Sequence, residues 1–224
     1  MRGQDLELCL DAELSGAAIT SSPVEDSEPG KAQRLPPGPH GLPPELVARN
    51  QRERLVAAMA EVCAEGGYAA ATVAEVARRA GVSTASFYRQ FKDRRECMLA
   101  SFEELFGRLL REIERACKAE AEPAAKARAG IRTAAALLGG DPPTARLLTV
   151  EIAAVGTEGV RVQHDAIEQL ATRLREVREP GADPAQFPSA EWAAVAAMVA
   201  LLSRGVAEGK PTEPAALETL AARL

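Results

Sequence analysis

The sequence predicts an all-α protein: an N-terminal three-helix, helix-turn-helix module followed by a larger helical domain. Three observations carry this. The 224-residue chain is rich in Ala and Leu and only 4% aromatic, and Ala and Leu lose little rotamer freedom in a helix. Apolar residues recur at spacings of three and four, the period of one helix face. Pro and Gly clusters cut that pattern into segments of helical length. A chain of this size suits one or two domains with a substantial core.

The elements follow in order. Residues 1–43 read as a disordered acidic and Pro-rich tail, with Pro36-Pro37-Gly38-Pro39 and Pro43-Pro44 breaking any regular element. From Pro44 a helix carries Leu55, Met59, Val62 and Cys63 on one face and ends at Gly66-Gly67. Thr72 with Glu75 reads as a capping box opening a second helix, whose buried face is Val73, Val76, Ala77 and Ala80. Ala80-Gly81-Val82 makes a tight turn, and Ser83 caps a third helix that buries Phe87 and Phe91. Asp93 opens a long helix to about Lys118. Further helices are predicted near 123–138, 142–155, 159–178, 189–208 and 213–223, separated by Pro and Gly.

Charge and motifs narrow the function. The formal net charge is −5, yet its distribution is uneven. The tail carries net −4, residues 44–99 net +2, and the remainder net −3. Arg78, Arg79, Arg89, Lys92, Arg94 and Arg95 crowd the stretch 76–98. Attraction to DNA depends on such a local patch more than on whole-chain charge. Cys9, Cys63, Cys97 and Cys117 are far apart, with no C-x-x-C pair and no His at ligand spacing, so reduced structural thiols are expected and no metal or cofactor. Only His40 and His164 are present, His164 reading as a surface residue, and no nucleophile-elbow, P-loop or paired metal-ligand motif occurs. The expectation is a non-enzyme. No run of about 18 apolar residues and no signal-peptide pattern is found, so a cytoplasmic protein without a membrane span is expected.

A short helix, a Gly-containing turn and a capped second helix form a helix-turn-helix, whose second helix lies in the major groove. The longer string A-T-V-A-E-V-A-R-R-A-G-V-S-T-A-S-F-Y-R-Q-F at residues 71–91 resembles the DNA-binding domain of the TetR/AcrR family of transcriptional regulators. The resemblance runs from about Arg52 to Leu99, through the Gly66-Gly67-Tyr68 break and Phe87-Tyr88. Beyond residue 100 it is one of architecture only. It departs from the family at Arg94-Arg95, where Lys-Glu is frequent, and at Gln90, where an aromatic residue or His is common.

The resemblance implies a DNA-binding domain over 44–95 and a ligand-binding and dimerisation domain over 96–224. It implies a homodimer on a palindromic double-stranded operator, acting as a repressor released by a small-molecule effector; an activator fits the same motif. The implied DNA-binding residues are Thr72, Ser83, Thr84, Ala85, Ser86, Tyr88, Arg89 and Arg94. Arg89 either reads guanine by a bidentate contact or binds backbone; Tyr88 reaches a phosphate or packs on the first helix. Thr72, Ser83 and Asp93 are helix caps first. The helix 189–208 has small and apolar residues that suit a dimer interface as well as internal packing. Candidate lining residues of an effector pocket, expected to be apolar, are Phe102, Phe106, Leu109, Leu148, Ile152, Val155, Ile167 and Trp192. The acidic tail either screens the positive face or is inert.

Overall fold

The computed structural model describes residues 43–178 and 190–210, all within one compact unit. The predicted tail, apart from Pro43, and the predicted helix at 213–223 lie outside the described residues. Among the described residues there is no strand; eight α-helices and one 3-10 helix form the fold. They are α1 (Pro44–Ala70), α2 (Val73–Ala80), α3 (Thr84–Gln90), α4 (Arg94–Lys118), α5 (Pro123–Gly140), α6 (Pro142–Thr149), the 3-10 helix Glu151–Val155, α7 (Thr157–Arg178) and α8 (Ala190–Ala207).

Local chemistry explains most boundaries. Pro44, Pro123 and Pro142 stand in the first turn of their helices, where a missing N–H costs nothing and φ is preset. Thr72, Ser83, Asp93 and Asp141 each accept the backbone N–H three residues on, removing an orphan donor from α2, α3, α4 and α6. At the end of α2, Gly81 takes φ +62°, its N–H reaching Arg78 O and that of Val82 reaching Ala77 O. These paired bonds close a Schellman turn, which a left-handed Gly makes at no steric cost.

Of three expectations, two change. The capping box at Thr72 is only half formed. Glu75 gives its N–H to Thr72 Oγ1, but its carboxylate goes to Arg78, while Thr72 N–H goes to Ala70 O. A neighbouring guanidinium outcompetes a backbone amide for the charge. The first helix breaks at Gly67, as the Gly66-Gly67 pair predicts. Gly67 leaves helical geometry at φ 72°, ψ 173°, and one further turn reaches Ala70. The helix predicted over 142–155 breaks after Thr149. The carbonyls of Leu148 and Thr149 are taken by Gln163 Nε2 at 3.2 and 3.0 Å, and Ser203 Oγ also donates to Thr149 O at 3.0 Å. Side chains from α7 and α8 thus satisfy the ends of α6, and the chain continues as a tighter 3-10 turn.

The core is continuous from the N-terminal helices into the later ones. Leu55, Val56, Met59 and Cys63 of α1 are fully buried, as are Val76, Phe87, Phe91, Cys97, Met98, Leu147 and Ile152. All belong to one cluster. The predicted faces of α1 and α3 point inward as expected. Val73, on the predicted face of α2, and Val82 of the turn are only partly buried, at the edge of that cluster.

Candidate nucleic-acid interface

Helix α3 is seven residues long and is held by what lies beneath it. Phe87 is fully buried and Phe91 2% exposed, their ring centroids 5.6 Å apart. Burying each such side chain contributes about 1.5–3 kcal/mol, which fixes the rotation of α3 about its axis. The opposite face then carries Thr84, Ala85, Tyr88 and Arg89, all exposed. Tyr88 is 59% exposed, unusual for so large an apolar ring, and its edge meets Phe87 at 5.6 Å. Ser83 is exposed and caps the helix. Ser86 lies inward at 6% exposure; its hydroxyl accepts from Ser83 Oγ at 3.0 Å and from Arg89 Nη2 at 2.7 Å. It therefore orients Arg89 and is itself withdrawn from the surface.

Charge in this region is more restrained than the sequence count suggests. Arg78 makes a two-pronged contact with Glu75, and Arg79 with Glu65. These hydrogen bonds hold the Glu65 and Glu75 carboxyls below their usual range. Arg95 pairs with Glu158 at the start of α7. Among the described residues the side chains of Arg89 and Lys92 have no carboxylate partner, although the Lys92 N–H donates to Glu96 Oε2 at 2.6 Å. Arg94 lies with its guanidinium carbon 4.7 Å above the Tyr68 ring, a cation–π placement that leaves its charge in force. Thr72 is exposed at the N-terminus of α2, where backbone amides favour an anion.

A second feature sits behind this face. A half-open cavity of about 700 Å³ lies among α4 to α8. Its walls are mainly apolar, including Phe106, Leu109, Ile131, Leu170, Met198 and Leu202. Lys118, Lys126, Glu114 and Arg173 lie among its lining residues, the last two joined at 3.1 Å. Among the described residues no group of three His, Cys, Asp or Glu side chains is placed to hold a metal ion.

The family model for bacterial regulatory proteins of the tetR family matches residues 55–100. Residues 55–100 form a TetR-family DNA-binding domain. The whole fold is similar to that of solved regulators. The fatty acid degradation regulator FadR of Bacillus halodurans matches at 18% identity and TM-score 0.66, covering 76% of this chain and 95% of that one. FadR of Bacillus subtilis, solved with stearoyl-CoA, matches at 20% and 0.55, covering 75% and 95%. A TetR family regulator from Marinobacter aquaeolei VT8 matches at 17% and 0.61, covering 80% and 95%.

Within the TetR-family domain, Thr72, Ser83, Thr84, Ala85, Tyr88 and Arg89 come to the surface, with Arg94 half-buried beside Tyr68, while Ser86 turns inward. Of the predicted pocket residues, Phe102, Phe106, Leu109, Leu148 and Ile167 line the cavity. Ile152 is buried in the core and Val155 packs partly buried against it, while Trp192 lies tilted beside exposed His164, with ring centroids 5.6 Å apart. Sequence reasoning missed the braces of the domain. Arg54 on α1 donates to the carbonyls of Ala80 and Gly81, pinning the turn between α2 and α3. Gln90 Nε2 reaches Ala48 O at 3.2 Å, and Arg52 lies 4.6 Å over the Phe91 ring. These partners are more than 25 residues apart, and no local spacing signals them.

Proposed function

We propose that the chain is a homodimeric, non-enzymatic transcriptional repressor that binds a palindromic operator and is released by an amphipathic effector. The observation that carries the reading is α3 itself. A TetR-family helix presents Thr84, Ala85, Tyr88 and Arg89 outward, flanked by Lys92, Arg94 and the N-terminus of α2 at Thr72. In this reading Tyr88, Lys92, Arg94 and Thr72 contact phosphate, and Arg89 with Thr84 and Ala85 faces base edges. Residues 44–95 are the DNA-binding domain and 96–224 the sensing and dimerisation domain.

The effector reading rests on the cavity. Its volume falls in the usual range of about 300–1,000 Å³ for small-molecule sites, and apolar walls with Lys118 and Lys126 suit a long acyl chain bearing an anionic group. The stearoyl-CoA held by the Bacillus subtilis regulator is a ligand of that chemistry. The dimer reading rests on α8. This helix has mean hydropathy 1.4 over 18 residues, with 11% of that window buried. By length and composition alone it is long and apolar enough to cross a membrane, which the sequence did not lead us to expect. One side of α8 borders the cavity, and Glu191 at its start is ion-paired to Arg175 and Arg178 of α7. A second copy packing against the remaining face would cover it.

The deciding experiment is a fluorescence-anisotropy titration against a pool of genomic fragments, with Tyr88→Ala/Arg94→Ala alongside. Tight, salt-dependent binding to a palindromic fragment that the double variant loses is expected. Absence of specific binding by the unaltered protein overturns the reading.

A further inference from the structure

We propose that Glu151 is a positioning residue for DNA binding: its buried carboxylate latches the Gly67–Tyr68 turn to α6, carrying the state of the cavity wall to Arg94. The inference rests on the functional reading above for the roles of Arg94 and the cavity.

Glu151 is 6% exposed. Its Oε2 accepts the Tyr68 N–H at 2.8 Å, and its Oε1 accepts Arg146 Nε at 2.8 Å. A carboxylate is costly to bury unless it is paired and hydrogen-bonded, and here both conditions are met across the junction between α1 and α6. Gly67 favours the contact: it sits at φ +72°, which L side chains rarely adopt, while a Cβ there would meet Glu151 Oε2 at an ordinary 3.4 Å. The kink at Gly67 breaks the helical ladder, and the Glu151 carboxylate takes up the Tyr68 amide beyond it.

On the DNA side, Tyr68 is the surface on which Arg94 rests. The Arg94 guanidinium lies over its ring, and Arg94 Nη1 points at the carbonyls of Tyr68 and Ala69, each 3.5 Å away. Moving the turn moves the base of the Arg94 side chain's seat. On the cavity side, Arg146 belongs to α6, an eight-residue helix too short to hold its shape alone. Its far end is clamped by Gln163, which donates to Leu148 O and Thr149 O. Leu148, Thr149 and Gln163 all line the cavity. An occupant that draws Gln163 away leaves Leu148 O unclamped and Thr149 O held by Ser203 alone, which loosens the end of α6, and Arg146 and Glu151 stand between that end and Tyr68.

The test is a double-mutant cycle on the full chain with Glu151→Gln, Gln163→Ala and the pair, which measures coupling directly. Two quantities are read: hydrogen exchange at the Tyr68 amide and affinity for an operator fragment. The amide introduced by Glu151→Gln keeps one neutral acceptor oxygen for which the Tyr68 N–H and Arg146 compete, so this variant is expected to speed Tyr68 exchange about 10-fold, with the amides of residues 55–63 unchanged. Operator affinity falls in Glu151→Gln, and its salt dependence falls with it, by up to about two slope units in the dimer, because Arg94 loses its seat against phosphate. Gln163→Ala speeds Tyr68 exchange in the wild-type background and adds nothing in Glu151→Gln. Unchanged Tyr68 exchange in Glu151→Gln, or independent additive effects, overturns the proposal. Should Glu151→Gln fold poorly, the apolar pair Arg146→Met/Glu151→Met serves, since such replacements of buried ion pairs keep stability. Slow Tyr68 exchange in that folded pair also overturns the latch. The exchange measurement needs neither DNA nor effector, so a failure of the regulator reading shows separately, as absence of operator binding by the unaltered protein.

Discussion

Salt dependence of operator binding distinguishes the charges that are free to meet phosphate from those already spent within the fold. The affinity of a protein for duplex DNA falls with log salt at a slope of roughly −0.9 per phosphate neutralised. A sequence count offers six cations per chain between residues 76 and 98. For a dimer that corresponds to a slope near roughly −11 and a loss of more than about a millionfold between 50 and 200 mM salt. The structure removes Arg78, Arg79 and Arg95 from the count, because each is paired with a carboxylate. Arg89, Lys92 and Arg94 remain; with Arg89 on base edges, Lys92 and Arg94 give a slope of roughly −4 and a loss of about a hundredfold over the same range. Anisotropy titrations at four or five salt concentrations read this directly. Lys92→Ala is expected to reduce the slope by about two in the dimer, and Arg78→Ala to leave it nearly unchanged. A slope near −11, or equal effects from the two variants, refutes the assignment of free and spent charge.

Other perturbations test other links. Tyr88→Ala, at a side chain 59% exposed, should weaken operator binding about tenfold or more while leaving the melting temperature unchanged; anisotropy and calorimetry check both. Arg54→Met strips the donor from the Ala80 and Gly81 carbonyls and should cost about 1–3 kcal/mol of stability by chemical denaturation. Gly67→Ala forces a side chain into a backbone region that only Gly visits freely, costing about 1–3 kcal/mol in the same assay. Burial pushes the thiols of Cys63 and Cys97 from the ordinary value near 9 up to about 12. Because the folded state holds them neutral, stability is unaffected below pH 9 and declines as pH rises from 9 towards 12, where only the unfolded chain ionises. Thermal melts across that interval should show the decline, and it should weaken in Cys97→Ala.

What could be read from the sequence follows from the range of the forces involved. Caps at Thr72, Ser83 and Asp93 act over three residues, and the structure realises each. The inward faces of α1 and α3 follow from helical period, so Leu55, Met59, Phe87 and Phe91 were legible as core. Ser86 was placed among the DNA-contacting residues by the family resemblance. Its place in the turn after a Ser83 cap, beside the buried Phe87, decides otherwise. The break after Thr149 was illegible for a different reason. It depends on Gln163 and Ser203, which lie 14 and 54 residues away. Charge was legible only as a sum, since a guanidinium's partner is fixed by tertiary placement, as with Arg95 and Glu158.

The illegible contacts share one property, and it bears on how such a protein responds to a ligand. Arg54 on Ala80 and Gly81, Gln90 on Ala48, Gln163 on Leu148 and Thr149, and Ser203 on Thr149 are all side chains from one helix satisfying backbone carbonyls of another. A hydrophobic contact is non-directional and tolerates small slides between helices. A carbonyl held by a single side chain does not, because the bond weakens steeply with angle. These contacts therefore set helix positions that the apolar core alone would leave adjustable. They divide by place. The bonds of Arg54 and Gln90 lie within the DNA-binding module and keep α1, α2 and α3 as one body. The bonds of Gln163 and Ser203 lie at the end of α6 beside the cavity, where an occupant can compete for them. Hence an effector should move the module as a unit, with the geometry between α3 and Arg94 altered only through the Tyr68 turn. Exchange at the amides of Phe87 and Gly81 should stay constant on effector binding while that of Tyr68 rises, and a rise at all three would show instead that the module itself opens.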